Sequence, residues 1–286
     1  GNIDFISGID PNYKDEILTR SGKLQPKYRD KINLITQPYL NTEYLGFKMD
    51  DNDKNNPLKD KRVRQAINYG FSREKMIKYM RNNIGYPGEF GIIPMGLAGF
   101  DSTSKAYDYN PEKSKQLLAQ AGYPNGEGMQ EITLSTTATY LDLCKYIQQQ
   151  LGLLGIKVKI DVNPPAALRE HIAQGKTQWF RGSWIADYAD AENYLSLFYS
   201  KNHCPKGSNY THFSSKEYDK LYEKAILETD YEKRIALYKK MNDIIIEESP
   251  IVVLYYDQVL RFVQKNISGF ESNPLNLLIL KNVNKD

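Results

Sequence analysis

Three carboxylates lie close together in the second half of the chain, beside two aromatic side chains. Asp187, Asp190 and Glu192 fall within six consecutive positions, and Trp184 and Tyr188 stand next to them. Two neighbouring carboxylates can work as an acid and base pair, as they do in glycosidases. That reaction also needs a sugar-binding cleft, which no other part of the sequence supports. The cluster therefore indicates a binding or catalytic region without deciding between them.

The histidines and cysteines form a weaker set of candidates. His203, Cys204 and His212 could in principle bind zinc, because thiolate and imidazole are its usual ligands. They lie on a loop without a matching ligand pair, so unrelated surface residues are the more common explanation. Cys144 falls on an apolar helical face, which favours a buried and inert thiol. We predict no metal site, and no phosphate-binding or dinucleotide fingerprint indicates a cofactor.

The composition is typical of a globular protein that does not bind nucleic acid. Hydrophobic residues make up 41% of the 286 residues and charged residues 26%. The net charge of +3 comes from 38 basic and 35 acidic residues that are interspersed along the chain. No run reaches the roughly 18 apolar residues that span a bilayer. Residues 1–4 show no export signal, so we expect that any such signal was removed or left out.

Hydrophobic spacing predicts strands that alternate with helices, which is typical of an α/β fold with a largely parallel sheet. Ser72 and Asn110 are predicted to cap two of the helices, since their side chains can accept from free backbone amides. The predicted strands cover residues 3–6, 31–35, 131–136, 156–162, 178–184 and 251–256. Further helices are predicted around residues 63–71, 143–154, 166–174, 215–228 and 230–247.

Four stretches, in order along the chain, match the motifs of one protein family. Residues 56–69 read NPLKDKRVRQAINY, residues 109–118 read YNPEKSKQLL, residues 184–190 read WIADYAD and residues 248–255 read ESPIVVLY. They resemble, in turn, the helix that follows the crossing strand, a Y-D-P-x-K-A-x-x-L-L segment, the ligand-region motif W-x-A-D-Y-x-D-P and the return strand of the peptide- and nickel-binding family of extracytoplasmic solute-binding proteins. Ala191 stands where the ligand-region motif has proline. Residues 44–47, YLGF, resemble the crossing strand itself.

The resemblance implies a particular domain organisation. Members of this family are considerably longer than this chain, and they fold as two lobes that close over a ligand. We therefore expect a type II periplasmic-binding-protein-like α/β lobe with a mixed, largely parallel sheet, plus strips of the second lobe. Residues 1–45 would form a strand-bearing strip of the first lobe and its crossing, residues 46–250 the complete C-terminal lobe, and residues 251–286 the return crossing.

The resemblance also assigns ligand-binding roles to Asp187, Trp184, Arg181 and Tyr188. The aspartate of the ligand-region motif anchors the free amino group of a peptide in the resembling receptors; Asp187 could otherwise cap a short helix at residues 189–193. Arg181 lies where some relatives present an arginine to a ligand carboxylate. On a strand, Arg181 and Trp184 point to opposite faces, so they share a pocket only if the strand bends or ends. The aromatic rings could instead be structural.

The sequence therefore predicts an extracytoplasmic receptor of an ABC importer that binds short peptides by closure of two lobes, with no catalytic residue. The expected partners are a peptide ligand and the transporter's membrane permease, and we expect a monomer that binds no nucleic acid. Its expected location is the periplasm or the outer face of the cytoplasmic membrane, with lipid anchoring left open. A metal chelate or sugar as cargo, or a hydrolase that uses carboxylates, are the alternatives.

Overall fold

The structure of the chain, a computed structural model, describes residues 3–10, 13–50, 53–103, 106–271 and 273–286. The prediction for the start of the chain falls partly on Gly1 and Asn2, which lie outside these residues. In chain order the elements are β1 (Phe5–Ser7), α1 (Lys14–Ile17), β2 (Ile32–Phe47), α2 (Lys61–Tyr69), α3 (Arg73–Met80), β3 (Tyr86–Pro87), α4 (Pro111–Gln120), β4 (Ile132–Thr136), α5 (Leu141–Gly152), β5 (Val158–Val162), α6 (Pro165–Ala173), β6 (Trp179–Ile185), α7 (Glu192–Leu195), α8 (Lys216–Ala225), α9 (Tyr231–Glu248), β7 (Ile251–Gln264), β8 (Ile267–Ser268) and β9 (Asn284–Lys285).

One mixed sheet organises the described part of the chain. Its strand order is β1-β7-β2-β6-β4-β5, with β3 paired to β7, and β8 and β9 form a separate pair. β4 pairs in parallel with β5 and β6, whereas β2 pairs antiparallel with β6 and β7. The predicted mixed α/β sheet is confirmed, with its parallel part confined to β4, β5 and β6.

The two longest strands, β2 and β7, are neighbours in the middle of the sheet. Hydrophobic spacing predicted only residues 31–35 of β2, which has 16 residues, because residues 36–43 are mostly polar and include Pro38. Antiparallel pairing with β7 supports this segment instead of hydrophobic alternation. The family resemblance added a strand at residues 44–47. The boundary expected after residue 45 falls inside β2, and the one after residue 250 falls at the start of β7. The division into lobe strips stays a prediction.

Local capping signals fixed the starts of several helices as predicted. The Ser72 side chain accepts from the backbone N–H of Lys75 at 3.1 Å, and Asn110 accepts from Lys113 N–H at 2.9 Å. Each bond satisfies an amide that the first helical turn leaves free. Gly122 follows α4 with φ +91°, a left-handed conformation that glycine adopts without steric cost.

Two large apolar cores lie on opposite faces of the sheet. Successive residues of one strand alternate between them: Trp179 packs in one core and Phe180 in the other, as do Tyr255 and Tyr256. A third, smaller core is separate from both. It contains Leu18 and the outer ends of β2 and β7, which are residues 32–36 and 260–264. Among the described residues, no helix combines the length and apolar character needed to cross a bilayer.

Candidate ligand-binding site

A buried asparagine connects two of the predicted site residues. The side-chain oxygen of Asn193, Oδ1, accepts from Trp184 Nε1 at 2.8 Å and from the Asp187 backbone N–H at 3.1 Å. The side-chain nitrogen of Asn193, Nδ2, donates to the Asp187 carboxylate at 3.3 Å. Asn193 is buried while Asp187 is exposed, so a fixed side chain holds a carboxylate that faces solvent. Trp184 and Asp187 are thus brought together as one unit.

The end of β6 positions this unit. The Ala186 N–H makes a hydrogen bond to the Leu40 carbonyl of β2 at 2.9 Å, after which the chain turns towards α7. Asp190 accepts from the Glu192 N–H at 2.9 Å and supports the entry of that helix. The amide of Glu192 at the start of α7 is therefore bonded by Asp190 and not by Asp187, whose carboxylate is engaged with the Asn193 side chain.

The carboxylates next to Asp187 are engaged with other side chains. Glu192 accepts from the hydroxyls of both Tyr188 and Tyr222, and Asp190 lies 3.4 Å from the Arg234 guanidinium. Burial, reinforced by the hydrogen bond to Glu192, raises the pKa of Tyr188 above its ordinary value. Tyr188 is nevertheless exposed, so it presents an aromatic ring beside the Asp187 unit. The hydrolase alternative receives no support from this arrangement.

Arg181 lies on the opposite face of β6 from Trp184, as the two-residue period predicted. It forms an ion pair with Glu43 of β2, and the side chains are only 13% and 4% exposed. Its guanidinium carbon lies 3.5 Å from the centroid of the Tyr140 ring. Burial opposes the charge, but Glu43 raises the pKa of Arg181 above its ordinary value, so the guanidinium stays charged. Arg181 is therefore not a free surface arginine.

A second ion pair extends this charged group along the sheet. Arg81 donates to Asp257 of β7 at 2.7 Å, and its guanidinium lies 3.9 Å from the Tyr255 ring centroid. The Asn41 amide bridges the two pairs, at 3.1 Å from Glu43 and 3.4 Å from Asp257. The result is a buried junction of alternating charges where β2, β6 and β7 meet.

An open cavity of about 420 Å³ borders this junction. Tyr39, Arg81, Tyr140 and Asp257 are among the residues that line it. Charges of both signs next to aromatic faces suit a polar ligand that carries both an amine and a carboxylate. Among the described residues, neither Asp187 nor Arg181 is part of this lining. Arg181 is connected to the cavity only through its contact with the Tyr140 ring.

The sequence did not single out Asn193, Glu43 or Tyr140. Asn193 carried no signal beyond its position six residues after Asp187. Glu43 stands directly before the apolar residues 44–47 that end β2, which could have indicated a buried charge with a partner. The partner could not be identified, because it depends on the pairing register that places Glu43 opposite Ser183, beside Arg181.

Comparison with known proteins identifies the class to which this fold and site belong. Residues 1–205 match the family described as bacterial extracellular solute-binding proteins, family 5, middle part. The chain belongs to this family of solute-binding proteins, and the resemblance seen in the sequence motifs is confirmed. Its structural neighbours are type II periplasmic binding proteins, which confirms the predicted fold class.

Individual relatives include peptide receptors. The chain is 27% identical to the dipeptide-binding protein of Escherichia coli over 261 residues, which are 90% of this chain and 48% of the relative. It is 30% identical to the glutathione-binding protein GsiB of Escherichia coli over 250 residues, 85% of this chain and 48% of the relative. The ABC transporter-associated periplasmic binding protein DppA of Helicobacter pylori, solved with a bound peptide, superposes with a TM-score of 0.82 at 26% identity, over 100% of this chain and 53% of its own. The chain spans about half the length of these relatives.

Proposed function

We propose that this chain is part of an extracytoplasmic receptor that captures short peptides and delivers them to the membrane permease of an ABC importer. The observation that carries the proposal is the Asp187 carboxylate, exposed to solvent and held beside the Trp184 ring by buried Asn193. A fixed carboxylate beside an apolar ring suits the ammonium terminus of a peptide and the side chain that follows it. The relatives described as binding dipeptides and glutathione support this ligand class, since each ligand has a free amino group.

The receptor works by capture and performs no chemistry on its ligand. A ligand that contacts both lobes stabilises the closed state, and the transporter recognises that state. In this proposal residues 46–250 supply one wall of the cleft, and residues 1–45 and 251–286 supply strips of the other. Arg181 remains the candidate partner of the ligand carboxylate. Its guanidinium is already paired with Glu43, so it would have to bind both carboxylates at once. The receptor is a monomer located outside the cytoplasmic membrane.

The amino-anchor role is tested with an isosteric charge removal. We expect Asp187→Asn to weaken binding of free-amino dipeptides and glutathione about tenfold or more, because a hydrogen bond to a charged group contributes about 1.5–3 kcal/mol. Binding is measured by calorimetry and by ligand-induced thermal shift. Asp30→Asn, which changes another exposed aspartate, is the matched control and should leave affinity unchanged.

N-acetylated versions of the same peptides separate the charge from general binding. They lack the ammonium group, so they should bind the wild type and Asp187→Asn equally weakly. If Asp187→Asn binds free-amino peptides as tightly as the wild type does, Asp187 is not the anchor and the proposed function loses its main support.

A further inference from the structure

A thiol, an imidazole and a carboxylate lie in line at the end of a surface loop. The Cys204 sulfur is 3.0 Å from His212 Nε2, and His212 Nδ1 is 2.7 Å from the Asp50 carboxylate. The sequence suggested zinc ligands or unrelated surface residues at these positions. The structure instead makes Cys204 and His212 direct partners. Among the residues that it describes, no group of three or more His, Cys, Asp or Glu is arranged to hold a metal ion.

The hydrogen bonds define where the protons lie. Partial burial opposes ionisation of Asp50, but the hydrogen bond to His212, with the Lys48 ammonium at 3.5 Å, holds the pKa of Asp50 below its ordinary value. An ionised carboxylate can only accept, so His212 Nδ1 carries the proton and donates to it. Nε2 then has its lone pair free to accept from the Cys204 S–H. This is the resting arrangement of a base-activated nucleophile.

The imidazole is held in this orientation from several sides. The His203 ring stacks on it with centroids 4.8 Å apart and an angle of 2° between the planes. Gly175 lies close by, and a Cβ added there would approach Lys48 Cε at 3.3 Å and the His212 ring at 3.7 Å. The groups that face the thiol are thus Lys48, Asp50 and the two histidine rings, together with the carbonyl of the last turn of α6.

The thiol lies beside side chains that are themselves partly exposed to solvent. Cys204 is 4% exposed, but the side chains beside it, Lys48 and His212, are themselves 19% and 15% exposed. A disulfide reaches the sulfur only if neighbouring side chains move, and Lys48, which is long and flexible, is one that can. Burial, reinforced by the Asp50 charge, raises the pKa of the Cys204 thiol above its ordinary value, so this thiol needs a base in order to react. Cys144 is fully buried on α5, and burial raises its pKa to about 11.

We propose that Cys204, His212 and Asp50 form a nucleophilic triad that reacts with low-molecular-weight disulfides. The Cys204 proton passes to His212 Nε2 as the sulfur attacks one sulfur of the disulfide. A new S–S bond joins Cys204 to that half, the original S–S bond breaks, and the other half leaves as a thiol that takes the proton. Cys204 is oxidised and the leaving half is reduced, so no other reagent is needed. Asp50 is a positioning residue that stabilises the imidazolium.

The test measures thiol reactivity in the native chain. We incubate the wild-type chain, which contains both Cys144 and Cys204, with oxidised glutathione or a chromogenic aromatic disulfide, follow thiol release, and locate the adduct by peptide mass spectrometry. The expected result is one adduct, at Cys204. His212→Gln should slow its formation about tenfold or more, which is modest for loss of a general base. Asp50→Asn should slow it as well, and Asp50→Glu should restore part of the rate.

Two results would overturn the proposal. One is that, in the wild type, Cys204 and Cys144 are modified together at the same slow rate, which means that only unfolding exposes them. The other is an unchanged rate in His212→Gln. Should His212→Gln lower the melting temperature, Asp50→Asn decides, because Asp50 is half exposed and its change leaves the packing intact; an unchanged rate in that variant then rules the triad out. Peptide binding is measured in parallel and does not depend on the outcome.

Discussion

At the scale of single residues, Asn193 decides whether the Asp187 carboxylate and the Trp184 ring act as one unit. Its side chain makes three hydrogen bonds within the candidate site and is itself buried. A carboxylate on a turn after a strand has many rotamers, and ordering it costs entropy at the moment of binding. Asn193 removes that cost in advance, because the carboxylate is held before the ligand arrives.

Asn193→Ala should therefore lower both stability and affinity. Trp184 Nε1 and the Asp187 amide lose their acceptor, and the loss of free energy of unfolding should be about 1–3 kcal/mol. Peptide affinity should fall while N-acetyl peptides bind unchanged. Urea unfolding and calorimetry measure the two effects, and Gln149→Ala, which removes an exposed amide on α5, is the control. Retained affinity in Asn193→Ala would show that the carboxylate needs no support.

The sequence could identify part of this site and not the rest. Asp187 and Trp184 were recognised because they lie in one short motif. Asn193 and Glu43 were missed, because their contacts depend on the turn after β6 and on the register between β2 and β6. Neither the turn nor the register leaves a periodic signal in the local sequence.

At the scale of the elements, the junction of β2, β6 and β7 depends on a buried ion pair. Glu43→Gln keeps the shape of the side chain but leaves the Arg181 charge buried and uncompensated. We expect a loss of about 3–5 kcal/mol in the free energy of unfolding. Glu112→Gln is the control, since it breaks an exposed pair with Lys115 at 3.1 Å that should contribute less than about 1 kcal/mol. Equal, small losses in both variants would mean that solvent reaches Arg181.

Helices and strands differed in how well the sequence predicted them. The helix starts at Ser72 and Asn110 were predicted because capping is local: a side chain bonds to an amide three residues on. The middle of β2 was missed because its pairing partner, β7, lies about two hundred residues away in the chain. A strand with a polar, proline-containing middle becomes visible only when that partner is known.

The start of α2 provides a pH-dependent prediction. The side-chain hydrogen bond from Arg62, helped by the Arg62 backbone N–H, lowers the pKa of Asp60 below its ordinary value. A depressed folded pKa gives stability that is present above the unfolded pKa, about 3.9, and is lost as pH falls through the folded pKa. Asp60→Asn keeps the cap and removes the charge. It should lower the free energy of unfolding by about 0.5 kcal/mol at pH 7, because the pair is partly exposed, and by progressively less as the pH falls below about 3.9.

Urea unfolding between pH 2 and pH 7 measures this difference. Asp30→Asn, which changes an exposed aspartate outside any helix, controls for the general loss of one negative charge. A deficit in Asp60→Asn that stays constant down to the lowest pH would place the effect in the cap geometry and not in the ion pair.

At the scale of the whole molecule, β2 and β7 pass through cores of very different size. Their inner ends, residues 40–47 and 251–256, pack in the two large cores, and Leu254 is fully buried there. Their outer ends, residues 32–36 and 260–264, pack in the small third core, where Phe262 is one of five buried residues. Burial of apolar surface sets the cost of opening a segment, so the outer ends should open while the inner ends remain folded.

Hydrogen exchange followed by mass spectrometry tests this hierarchy with two matched substitutions. In the partly open state only the outer ends are unfolded, so Leu254 is still packed in its core. Leu254→Ala therefore destabilises the native state and the partly open state equally, relative to the unfolded state. It should therefore reduce protection of residues 251–256, by about 2–5 kcal/mol, and leave opening of residues 260–264 unchanged. Phe262→Ala destabilises only the native state, so it should reduce protection at both ends. If Leu254→Ala instead accelerates exchange at both ends by the same factor, the sheet opens as a single unit and the long strands couple all three cores.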